Sequence, residues 1–128
     1  MVIGTHGRHR DMVRHRTVEV AGIRIFYREA GSQDAPAVLL LHGFPSSSLQ
    51  FRFLLPALAD GYHILAPDFP GFGFSSCPDR SSYAYTFEHY TETIEALRAS
   101  LDWIVTHSTF MTRARKSDFA LRSARRIV

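Results

Sequence analysis

The apolar run Ala37-Val38-Leu39-Leu40-Leu41 passes without a break into His42-Gly43-Phe44-Pro45 and the serines Ser46 to Ser48. A half-wet strand alternates apolar and polar residues. An unbroken run of this length instead suits a strand covered on both faces, as in a parallel sheet. Such a strand calls for a helix next, and "SSLQFRFLLPALADG" supplies one. Its serines offer an N-cap, Leu49, Phe53, Leu54 and Leu58 its apolar side, and Gly61 its stop. Pro56 is expected to kink or shorten the last turn.

The flanking residues fit the same layout. Upstream, Thr17 to Val20 and Ile23 to Tyr27 alternate on either side of Ala21-Gly22, the pattern of a β-hairpin. Downstream, Tyr62 to Ala66 reads as a further short strand, and "TFEHYTETIEALRAS" as a second helix capped by Thr86. An antiparallel hairpin followed by strand, helix, strand, loop and helix is an α/β arrangement. With 128 residues, 45% of them hydrophobic, the chain can bury one modest core and no second domain.

Composition removes several classes of function. No apolar stretch reaches the roughly 18 residues of a membrane helix. The start, "MVIGTHGRHRDMVRHR", lacks the apolar middle of a signal peptide. A cytoplasmic protein without a membrane partner is the expectation. Cys77 is the only cysteine, so neither an intrachain disulfide nor a zinc or redox site is expected, and no metal or cofactor is implied. The formal charge of +3 sits at the two ends. Arg8, Arg10, Arg14 and Arg16 precede the hairpin, and Arg113, Arg115, Lys116, Arg122, Arg125 and Arg126 crowd the tail. Neither end interleaves aromatic residues with the basic ones, so no nucleic-acid partner is expected. His6, His9 and His15 lack a regular ligand spacing. Residues 1–14 therefore read as a mobile leader, and Met12 is a candidate initiator.

In open α/β sheets the functional groups gather in loops at the carboxyl ends of strands. His42 to Ser48 is such a loop. Gly43 permits close backbone approach, and Pro45 fixes one torsion and donates no hydrogen bond, so the Phe44 amide is free to face outward and meet a negative oxygen. A plain strand-to-helix turn with capping serines explains the same residues.

A second stretch, "APDFPGFGFSS" at residues 66–76, closes the next strand with Asp68, Gly71, Gly73 and Ser75 at fixed spacing. Taken together, HGFP and DFPGFGFS resemble the α/β-hydrolase family pattern of HGxP after the third strand and DxxGxGxS after the fourth. The hairpin "VEVAGIRIFYREAG" and "YTFEHYTETIEAL" are most similar to its epoxide hydrolase and haloalkane dehalogenase branch. The resemblance covers about residues 15–98. It implies the N-terminal part of an α/β-hydrolase sheet, with the Phe44 amide as one oxyanion-hole donor. His42 and Gly43 would shape the turn, the bond to Pro45 is often cis, and Asp68 would brace the loop. A phosphate cradle at Gly71 and Gly73 is the rival reading, but the spacing and lysine of a P-loop are missing.

Catalysis in this fold also needs a nucleophile on a sharp elbow after the next strand, then an acid and a histidine. No residue of such a triad is recognisable. After Pro78 the chain has no glycine and no proline, and residues 99–128 form an atypical basic tail without family pattern. Translation in a shifted frame explains this. Phe110-Met111-Thr112 is encoded TTY-ATG-ACN, and starting at the last base of the first codon reads YAT-GAC, which is His or Tyr, then Asp. With free third bases chosen, the stretch from Leu101 reads "GLDRYTLYVHD", which resembles the family's fifth strand and Asp elbow. The expectation is an inactive N-terminal piece of a hydrolase whose intact form takes a small-molecule substrate, an epoxide or a related compound, through an aspartate. A serine esterase of the same fold and a noncatalytic remnant or binding protein are the alternatives. With the fifth strand displaced, the third strand's edge is expected to stay open, with non-specific self-association and poor order from about residue 107. Trp103, Ile104 and Val105 could supply a makeshift element there.

Overall fold

The computed structural model describes residues 13–103 and 110–111. Five strands form one mixed sheet in the order β1-β2-β4-β3-β5: β1 (Arg14–Val20), β2 (Ile23–Ala30), β3 (Ala37–Leu41), β4 (His63–Pro67) and the short β5 (Phe110–Met111). Two α-helices, α1 (Leu54–Leu58) and α2 (Phe87–Ser100), complete it, with a 3₁₀ turn at Ser48–Phe51.

The hairpin forms as its alternation predicts, with Val20 opposite Ile23 and Arg14 opposite Glu29. Its two turn residues, Ala21 and Gly22, have φ of 52° and 79°. A tight turn with positive φ at both central residues matches the right-handed twist of the strands. β2 pairs antiparallel with β4, and β4 pairs parallel with β3. The strand β4, expected over Tyr62 to Ala66, is shifted by one residue.

The reason for the unbroken apolar run is visible in the two cores. Leu39 and Leu41 join Ile25, Tyr27 and Leu65 under Ile94 and Leu97 of α2. Leu40 points the other way, with Ile64 and Ala66, against Phe51, Leu55 and Ala59. Successive residues serve opposite faces, so both must be apolar.

The first helix departs from expectation. It is broken into the 3₁₀ turn and α1, and its buried side is Phe51, Leu55 and Ala59, at a spacing of four. Leu49, Phe53 and Leu54 are exposed, Phe53 at 75%, and Leu58 packs only partly against the core. Pro56 is the cause. It cannot donate to the carbonyl four residues back, and its ring clashes there, so the ladder stops at Arg52–Phe53 and restarts with Pro56 inside the first turn of α1. The proline acts at the start of the helix rather than at its last turn.

The second helix begins as predicted, with the Thr86 hydroxyl accepting from the His89 amide at 3.2 Å. Its end uses no glycine. Asp102 takes φ of 52°, while the amides of Asp102 and Trp103 reach back to the carbonyls of Ala99 (3.2 Å) and Arg98 (2.9 Å). This is the paired bonding of a Schellman cap.

Two further expectations need correction. The edge of β3 is partly covered, because Phe110 and Met111 pair in parallel with Leu40 and Leu41. Ile104 and Val105, with the rest of residues 104–109 and 112–128, lie outside the described residues. At the other end, β1 begins at Arg14, the last residue of the expected leader, and continues through His15 and Arg16. They are held there by buried partners on β2: Arg14 and Arg16 pair with Glu29, and His15 meets Arg28. Residues 1–12 lie outside the described residues.

Candidate functional site

Because β3 and β4 are parallel neighbours, the loops that leave them emerge side by side at one end of the sheet. Asp68, fully buried, ties the two together. One carboxylate oxygen, Oδ1, accepts from the Ser48 amide at 2.6 Å, and the other, Oδ2, accepts from the Phe74 amide at 2.9 Å. Its carbonyl accepts from the Ser75 hydroxyl at 2.7 Å, and that hydroxyl in turn accepts from the Phe26 amide at 2.9 Å. Asp68 and Ser75 therefore join the loop at 42–48, the loop at 68–76 and strand β2.

Gly73 makes this geometry possible. Its φ is +51°, and a Cβ there would stand 2.1 Å from Asp68 Oδ2. Gly71, at φ +88°, turns the chain against the Tyr85 ring and donates its amide to the Ser76 carbonyl at 2.9 Å. A phosphate cradle does not fit this loop, since an anionic carboxylate already fills the concavity and takes the Phe74 amide.

His42 is buried and uses both ring nitrogens. Nδ1 donates to the Gly43 carbonyl at 2.9 Å, and Nε2 accepts from the Phe69 amide at 3.0 Å. An amide can only donate, so Nε2 carries no proton and the ring is neutral. Burial pushes its pKa below the usual histidine value, against smaller opposing effects of the Gly43 carbonyl and the Asp68 charge. The edges of Phe69 and Phe72 close around it. His42 is a strut between the two loops and has no free nitrogen for proton transfer.

The Gly43 amide donates to Gln50 Oε1 at 3.3 Å. The Phe44–Pro45 bond is cis. The Phe44 amide makes no hydrogen bond to any described residue, and its side chain is 80% exposed. The serines do cap the turn: Ser47 Oγ accepts from the Leu49 amide at 3.2 Å. Turn capping and an unengaged Phe44 amide are thus properties of one loop.

Two charged residues of β2 were not singled out by motif. Arg28 is buried under the first loop, where its Nε donates to Ser48 Oγ at 3.0 Å and its guanidinium lies 5.3 Å from the Phe26 ring centre. Glu29 faces the other side of the sheet, toward His63. The only signal for either was polar residues interrupting an otherwise apolar strand. Among the described residues no serine, cysteine or aspartate stands within hydrogen-bond reach of a histidine ring, and no cluster of metal-ligating side chains occurs. No helix among them is long and apolar enough to cross a membrane.

Residues 36–109 match the family model described as alpha/beta hydrolase fold. The chain is 46% identical over 87 residues to an uncharacterized hydrolase of Saccharomyces cerevisiae, covering 68% of this chain and 29% of that protein. It is 45% identical over 83 residues to epoxide hydrolase A of Mycobacterium tuberculosis, covering 64% and 26%. The crystal structure of haloalkane dehalogenase DbeA from Bradyrhizobium elkani superposes with a TM-score of 0.69 at 35% identity, over 78% of this chain and 32% of that one. The chain thus spans about a quarter to a third of the length of these relatives. With the two loops joined at Asp68 on a mixed sheet and the family pattern matched over more than half of its residues, the chain belongs to the α/β-hydrolase fold family.

Proposed function

We propose that residues 15–98 form the oxyanion-loop part of an α/β hydrolase whose intact form hydrolyses epoxides, or a related small-molecule substrate, through an aspartate. The chain as it stands is the inactive piece. The observation that carries this is the Phe44 amide, which has no partner among the described residues and sits in a loop pinned by Asp68 and His42. In the intact enzyme a carboxylate attacks the epoxide carbon, the C–O bond breaks with its electron pair left on oxygen, that alkoxide takes up a proton, and a hydroxy-ester of the enzyme forms. Water that has lost a proton to a histidine then hydrolyses that ester. The Phe44 N–H would donate to the tetrahedral oxyanion, a role worth about 3 kcal/mol in comparable sites.

The aspartate comes from the shifted reading frame after about residue 98. Phe44 brings no side-chain amide to hold a halide, which favours epoxide over haloalkane. For the polypeptide itself a noncatalytic remnant is the apt description, since no nucleophile and histidine meet among the described residues. Sequencing the gene across the codons for residues 95–112 tests the frame: an in-frame aspartate codon after the fifth strand is expected, and a serine codon there would replace this reading with an esterase. The purified chain should not hydrolyse epoxides, halides or nitrophenyl esters above a buffer blank. Turnover that survives repurification and is lost in Phe44→Pro would overturn it.

A further inference from the structure

At the end of the sheet opposite the two loops, a cavity of about 780 Å³ opens between Tyr27, Leu65, Leu101 and Trp103. On its wall His63, buried at the start of β4, is bonded at both ring nitrogens. Trp103 Nε1 donates to Nδ1 at 2.9 Å, and Nε2 lies 2.7 Å from Glu29 Oε1. An indole N–H can only donate, so Nδ1 must be the bare nitrogen, and the proton must sit on Nε2, pointed at the carboxylate. The contact with Trp103 therefore exists only while His63 is neutral.

We propose that His63 and Trp103 form an acid-released latch that fastens the exit of α2 to β4. Protonation at Nδ1 would set one N–H against another and break the bond to Trp103. The same proton strengthens the bond to Glu29, so the ring stays in place and the indole leaves. Trp103 is half-buried, and water can take up its N–H. The docked state binds one proton fewer than the released state, so docking weakens as pH falls.

The surrounding charges bear on the same ring. From β2, Glu29 faces the ring at Nε2. From β1, Arg14 (3.4 Å) and Arg16 (2.9 Å) share that carboxylate. Tyr27 of β2, Asp34 of the following loop and Asp102 at the end of α2 also line the cavity. What the latch holds is the cap of α2: Trp103 follows Asp102, whose left-handed backbone ends the helix, and Phe110 of β5 lies seven residues further on beside Leu40.

Trp103 is the only tryptophan of the chain, so its fluorescence reads the latch alone. On titration of the full chain from pH 8 to pH 5, its emission should move reversibly to the red with one midpoint, while far-ultraviolet circular dichroism stays constant. His63→Asn places a carbonyl oxygen near the Nδ1 position and cannot titrate, so its emission should stay blue throughout. If that variant does not fold, NMR of the wild type serves instead. The His63 ring should carry its proton on Nε2 at pH 8, and the Trp103 indole N–H signal should shift with the pH at which the ring takes its second proton. An indole signal indifferent to that protonation, a proton found on Nδ1 at pH 8, or the same red shift in a folded His63→Asn would overturn the latch.

Discussion

Asp68 Oδ1 accepts the Ser48 amide hydrogen across 2.6 Å, joining the loop after β3 to the loop after β4. With Oδ2 on the Phe74 amide, one buried carboxylate holds two backbone donors, the Ser48 amide in a buried bond and the Phe74 amide in a partly buried one. Replacing it by alanine removes the acceptor of both. Hydrogen bonds to charged groups are each worth about 1.5–3 kcal/mol, so Asp68→Ala should lower the unfolding free energy by about 3 kcal/mol or more. Gly73→Ala should act on the same contact, since its Cβ would meet Oδ2 at 2.1 Å. Urea denaturation checks both. A loss below about 1 kcal/mol in both variants would mean that the two loops are held by something other than Asp68.

His42 provides a pH test. In the folded chain burial keeps its pKa low, whereas in the unfolded chain it titrates near the ordinary value of about 6.5. Above that pH neither state binds the proton and the contribution of His42 is complete. As the pH falls below it, the unfolded chain takes a proton that the folded chain refuses, and stability declines until the folded pKa is reached. His42→Gln lacks this response. The stability difference between wild type and variant should therefore shrink as the pH falls from 7 to 5.5. A difference that stays constant, measured by denaturant unfolding at each pH, would show that the ring does not resist protonation.

The hairpin, the buried strand and the cap of α2 were legible because each rests on a local rule: alternation around Ala21-Gly22, an apolar run at 37–41, a threonine at Thr86. The broken first helix was legible only in part. Apolar residues at Leu49, Phe53 and Leu54 satisfy a helical period as well as Phe51, Leu55 and Ala59 do, and only the sheet face underneath decides between the two sets. The loop residues carried a motif, but Arg28 beneath them did not. Its place is fixed by Ser48 and His15, which are twenty and thirteen residues away, and no local pattern announces such a contact. The same holds for His63 and Trp103, forty residues apart.

Two positions should accept stabilising changes. Ala21 and Asp102 both adopt φ of 52°, a conformation that costs an ordinary L residue about 1–2 kcal/mol and glycine almost nothing. Ala21→Gly in the hairpin turn and Asp102→Gly in the cap of α2 should each raise the unfolding free energy, by roughly 0.5–1 kcal/mol after the added flexibility of the unfolded chain is counted. The two sites share no partner and their effects should add. Thermal unfolding of the single and double variants is the check, and a lower midpoint in either single variant would contradict the role assigned to that turn.

The outer side of the broken helix bears on association. Leu49, Phe53 and Leu54 are 50%, 75% and 37% exposed within six residues of chain, and the Arg52 guanidinium lies 4.6 Å from the Phe53 ring centre. Exposed apolar side chains at this density favour contact between copies. The protein is therefore expected to self-associate reversibly as its concentration rises. Phe53→Ser removes the largest of these groups at a surface position, where substitutions usually change stability by no more than about 0.5 kcal/mol. Sedimentation velocity over a hundredfold range of concentration should show wild type shifting to larger species while Phe53→Ser lags behind it. If the two sediment alike at every concentration, association does not run through this side of the helix, and the partly covered edge of β3 becomes the next surface to change.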